Sequence, residues 1–192
     1  MALPAPGFVS RSGLLLVRVP LVPHVNPNGQ AHYFQPNPPI DFSFSTTAGP
    51  CLISIQEMLD MNCPEEWNTN NNDPFGPHVQ RISCRVNWAG FPPRVGLVNT
   101  KDFRHSPTPL SKAKLARNVA RAICKVLEDL ALQGQTVAGQ QGHQNWAFDG
   151  NMFNAHTIFL GSLEHVSHGS WQPELYCNDP AFMAAFLQFV AQ

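Results

Sequence analysis

Two histidines three residues apart, His165 and His168, stand close to Glu164 and Trp171 and are the side chains of this chain best suited to metal or acid–base chemistry. Imidazole ligates transition metals and exchanges protons near neutral pH. A spacing of three suits one face of a helix, but Gly169 and the neighbouring pattern predict a strand running into a turn. A third ligand then has to come from His143 or His156, distant in the sequence, or from Glu164. Two histidines without a motif are more often hydrogen-bonded or surface residues, and no metal site is expected. As a pocket for a small molecule, the candidate lining is Trp146, His156, His165, His168 and Trp171.

Nucleophilic and phosphate chemistry find no linear signature. The chain has no Gly-x-Ser-x-Gly elbow, no glycine-rich phosphate loop and no His-Glu-x-x-His. Glu65 and Glu66 are adjacent acids beside a polar stretch and read as solvated. The Asn- and Asp-rich residues 68–74 lack the glycine and terminal glutamate of a calcium loop. No cofactor is expected, and a histidine-centred pocket remains the enzymatic alternative.

Charge is the stronger signal. The formal net charge is −1, but it is blocked along the chain. Residues 1–80 carry −4, residues 81–125 carry +9, and residues 126–192 carry −6 with no Lys or Arg. Within the basic block Arg81, Arg85, Lys114, Arg117, Arg121 and Lys125 fall on the predicted outward faces of a strand and a helix. The helix carries cations toward its start and Glu128 and Asp129 toward its end, each opposed to the macrodipole at roughly a few tenths of a kcal/mol.

Three readings follow. The cations pair with acids of their own chain as a solvated lattice, or they meet the acidic flank of another copy or another protein, or they bind nucleic acid or an acidic membrane. A sequence pI near 6.7 and the lack of interleaved aromatic platforms weigh against the last.

The elements that position these residues are legible in part. Residues 1–39 are proline-rich and read as an arm with one strand near 13–20, and residues 40–192 as one domain. Ile40, Phe42 and Phe44 alternate with polar residues as one half-buried strand. Ser54 and Glu57 fit a capping box before a short helix over 55–61. Residues 81–88 alternate Ile82, Cys84, Val86 and Trp88 against Arg81, Ser83, Arg85 and Asn87, and 94–100 pair back antiparallel.

A long helix is predicted over 109–133, with Thr108 as N-cap, Pro109 at the first helical position and Gly134 as the stop. Leu115, Val119, Ala122, Ile123, Val126, Leu127 and Leu130 share its apolar face. Residues 157–166 and 171–177 form a hairpin through Gly169, and a last helix spans 181–191. Of the five cysteines, Cys84 and Cys124 are expected in the core, and no Cys-x-x-Cys pair is present.

The fold class expected is α+β, a mainly antiparallel sheet covered on one face by the long amphipathic helix, with a short C-terminal helix. No apolar run approaches the roughly 20 residues of a membrane span, and the first residues lack a signal-peptide pattern. The expected location is intracellular, cytoplasm or nucleus.

Three stretches, 81–90, 109–120 and 166–175, together resemble a group of short proteins from mushroom-forming fungi in which a strand ending in Trp-x-Gly precedes a basic helix and a Gly-Ser-Trp-Gln-Pro segment lies near the end. The resemblance carries no assigned activity, so it implies no substrate, cofactor or site. The expected function is a non-catalytic interaction or self-assembly module using the basic face and acidic flanks. The alternatives are the His-containing pocket and the polyanion binder.

Overall fold

The computed structural model describes residues 7–24, 34–47, 49–69, 73–103, 107–133 and 153–177. Its elements begin with β1 (Val9–Ser10), β2 (Val17–Arg18), β3 (Ile40–Asp41), β4 (Phe44–Thr46), β5 (Gly49–Leu52), α1 (Ile55–Leu59) and α2 (Glu66–Thr69). They continue with β6 (Arg81–Val86), β7 (Arg94–Asn99), β8 (Lys101–Asp102), β9 (Thr108–Pro109), α3 (Lys112–Gln133), β10 (Ile158–Ser167) and β11 (Ser170–Cys177). The protein is α+β with mixed sheets.

The principal sheet runs β3-β10-β11-β6-β7, with β2 also paired to β11. Its β10–β11 and β6–β7 ladders are antiparallel, whereas β11 meets β6 in parallel. The β10–β11 hairpin turns at His168 and Gly169, and Gly169 takes the positive φ of 67° that the turn requires. Pro173 lies mid-strand in β11, a position normally closed to proline. It is tolerated because β6 pairs only with Ser170 and Trp171, and β2 only with Tyr176 and Cys177. Residues 19–24 run alongside that gap: Val19 N–H donates to the Leu175 carbonyl, and Gln172 donates to the Val22 carbonyl while accepting from His24 N–H.

α3 crosses the face of β6 and β7, and its apolar stripe is buried as its periodicity predicts: Leu115, Val119, Ala122, Ile123, Val126, Leu127 and Leu130 all lie in the core. They meet Ile82, Cys84, Val86 and Val98 from the sheet and Met58 from α1. The helix starts later than residue 109. Thr108 and Pro109 pair with Lys101 and Asp102 as β9, so Ser111 caps instead, its hydroxyl accepting from Lys114 N–H. α1 carries the expected capping box between Ser54 and Glu57.

The expected single strand through 40–45 is two strands in different sheets. Ile40 and Asp41 pair with β10, whereas Phe44 to Thr46 pair with β5. Between them the Asp41 carboxylate accepts from Ser43 N–H and hydroxyl, which bends the chain from one sheet to the other. Strands from residues 1–39 are built into two of the sheets, with β1 on β5, β2 on β11 and Val19 in the core. The C-terminal helix expected over 181–191 lies outside the described residues. Cys84 is buried and its thiol is pushed up to about 12 by desolvation, but Cys124 is only half-buried and donates to Glu128.

Candidate interaction surface

β7 is the last strand of the principal sheet, and among the described residues no strand pairs with its outer edge. Which groups face outward follows from the register. Thr100 N–H donates to the Gln80 carbonyl, so the residues of β7 bonded to β6 are Arg94, Gly96 and Val98. Ser83, opposite Leu97, spends its N–H on the Gly169 carbonyl of the other neighbour. Val95, Leu97 and Asn99 therefore turn their N–H and C=O groups away from the sheet. The Asn99 carbonyl accepts from the Asn118 side chain on α3, which confirms the direction.

A groove of ≈ 760 Å³ runs along this edge between β7 and α3. Its strand side is Pro93 to Leu97 and Asn99, and its helix side presents Asn118, Arg121, Ala122, Lys125 and Asp129. Gly96 makes the close approach of helix to strand possible: a Cβ there would stand 2.7 Å from Ala122 Cβ. The side chains of Val95 and Leu97 point to the sheet face away from α3 and are 47% and 69% exposed.

The structure brings together only part of the six-residue basic strip. Arg121 and Lys125, exposed and one turn apart, line the groove with Arg94. Arg81 and Arg85 alternate with the core-facing Ile82, Cys84 and Val86, so they occupy the opposite sheet face, beside Val95 and Leu97. There Arg81 donates to the Asn99 side chain and Arg85 to the Ser170 hydroxyl. Lys114 is taken by Asp102 at 3.1 Å, and Arg117 is half-buried. Lys101, counted with the block, is in fact 4% exposed and forms an ion pair with the half-buried Asp73, while also donating to the Gly76 carbonyl at 3.0 Å.

Among the described residues, then, two cations of the block are ion-paired within the chain, Lys101 and Lys114. That is a poor fit to an internal salt-bridge lattice. Lys112 points the other way, its ammonium 4.4 Å over the Trp67 ring, where burial lowers its pKa against the pull of Asp41 and Glu66.

The histidine candidates divide. His165 stacks on Trp171 with ring centroids 4.5 Å apart, and Phe34 packs edge-on to both His165 and His168. His165 Nδ1 accepts from Asn37 N–H at 2.9 Å. Burial and the nearby His168 hold the His165 pKa below its usual range. The cluster holds the chain around residues 34–37 against the hairpin. His156 is exposed at the far end of β10, so it does not join them, and Trp146 lies outside the described residues. Among the described residues no three His, Cys, Asp or Glu side chains gather closely enough to hold a metal ion.

Sequence reasoning did not single out Val95, Leu97, Asn99, Asn118 or Asp73. For the first two a signal was present: Val95 and Leu97 against Val98 place apolar residues on both faces of one strand, although α3 covers only one. Comparison of the chain with family models, curated proteins and solved structures found no match. No helix among the described residues is long and apolar enough to cross a membrane.

Proposed function

We propose that this protein is a non-catalytic interaction module that engages an acidic polypeptide through the groove between β7 and α3. One observation carries the reading. Arg121 and Lys125 stand exposed one turn apart beside an unpaired sheet edge, and neither is ion-paired among the described residues. Cations placed so are free to meet carboxylates from outside, and complementary charge of this kind steers encounter and sets orientation. The acidic flanks of the chain make another copy one source of such a surface, and a different acidic protein the other.

The test is titration of the full chain with poly-L-glutamate in physiological salt, comparing the parent with a variant carrying Arg121→Glu and Lys125→Glu. Binding that the variant loses supports the reading. Duplex DNA or anionic vesicles bound in preference to polyglutamate, through the same two residues, would replace it with the polyanion reading. No binding by the parent to any of the three would sink both.

A further inference from the structure

We propose that the occupant of the groove is an extended peptide that adds as a further strand to β7, with acidic and apolar side chains in alternation. The proposal rests on the reading of the β7–α3 groove as the binding surface and specifies how that surface is used.

Backbone chemistry comes first. Val95 and Leu97 direct N–H and C=O groups out of the sheet, and the register with β6 leaves them no partner there. An exposed sheet edge is a template for another strand unless something blunts it. Natural edges are often blunted by proline or a bulge, and β7 shows neither between Arg94 and Asn99: its ladder with β6 is continuous over six residues.

Side chains then set the pattern. In an added strand successive residues point to opposite faces. On the α3 side they meet Arg94, Arg121 and Lys125 against the single carboxylate of Asp129, which favours Asp or Glu. Gly96 lets α3 sit close over the strand, which brings Arg121 and Lys125 near the edge. On the other side they lie across Val95 and Leu97, whose exposed apolar surface favours Val, Ile or Leu. Charge argues against a second β7 as the occupant, because two-fold pairing would bring Arg121 and Lys125 of one copy toward the same cations of the other.

The experiment uses the full chain and a fluorescein-labelled octapeptide of alternating glutamate and valine, read by anisotropy. Two derivatives are compared, one N-methylated on the valines and one on the glutamates, since methylation removes a backbone donor without altering the protein. Strand addition predicts loss in one derivative only, the valine set for antiparallel and the glutamate set for parallel addition. The expected weakening is about tenfold or more, as for removal of one or two backbone hydrogen bonds. Leu97→Pro removes an outward N–H while leaving the β6 ladder intact, and it should weaken binding by a similar factor.

Equal tolerance of both derivatives, or equal loss in both, overturns strand addition. Polyglutamate binding that needs Arg121 and Lys125, with no binding of the octapeptide, overturns this inference while leaving the acidic-partner reading intact. A parent that dimerises, and becomes monomeric in Leu97→Pro, would show that β7 pairs with a second copy and overturn the peptide as occupant.

Discussion

Gly96 of β7 lies directly under Ala122 of α3, so close that a Cβ on the glycine would fall 2.7 Å from Ala122 Cβ and 3.2 Å from the helix backbone. This contact sets the height of the helix above the strand and hence the width of the groove. Gly96→Val must push α3 outward, because the obstacle includes backbone that cannot rotate away. The expected loss is about 1–3 kcal/mol, as for overpacking, read as a shift in urea midpoint. An unchanged midpoint would show that the helix sits higher than the structure places it.

The two faces of α3 should respond oppositely to charge. Ile123 is fully buried and Arg121 is exposed. Ile123→Asp leaves an uncompensated charge in the core and should destabilise by about 3 kcal/mol or more, whereas Arg121→Asp should stay within about 0.5 kcal/mol. Thermal melts followed by circular dichroism separate the two, and equal tolerance would mean the helix phase is wrong.

The buried Lys101 and the half-buried Asp73 form an ion pair that ties the residues before β6 to β8. Asp73→Ala leaves a buried ammonium with the Gly76 carbonyl as its remaining partner. Breaking such a pair from one side costs about 3–5 kcal/mol, so a steep drop in denaturant midpoint is expected. Replacing both residues, Asp73→Leu with Lys101→Met, should recover much of it, because no unpaired charge remains. A double variant as unstable as the single one would contradict this account.

Stability should fall as the solution is acidified below about pH 6.5. His165 accepts from Asn37 N–H at Nδ1 and packs against Trp171, Phe34 and His168, and burial with His168 lowers its pKa from 6.5. His24 is lowered in the same direction, by burial first and Arg85 second. A base whose folded pKa is depressed takes up its proton more readily when unfolded. Its contribution is therefore complete above the unfolded value and is lost as pH falls from there toward the folded one. Melting temperatures at pH 7.5 and 5.5 should differ in the parent, and His165→Phe should reduce the difference. A parent whose melting temperature does not change over that range would refute the coupling.

What the sequence by itself determined is what a short period encodes. The buried stripe of α3, the alternation of β6 with Arg81 and Arg85 on its outer face, the capping box at Ser54 and the turn at Gly169 depend on neighbours within a few residues. Each is legible because burial repeats every 3.6 or 2 residues, and because a cap or a positive φ selects particular side chains.

The tertiary structure alone decided the rest. Ser170 and Trp171 meet Ser83 and Cys84 across 87 residues of chain, and this parallel pairing leaves β7 as the free edge. The same sheet separates Arg81 and Arg85 from the cations of α3, although all of them belong to one basic block in sequence. Lys101 looks like one more exposed cation until Asp73 is brought to it. Ile40 to Ser45 alternates as one strand until two sheets compete for its halves. Such outcomes rest on contacts between residues far apart in the chain, whose free energies are set by which partner arrives, and no local period carries that information.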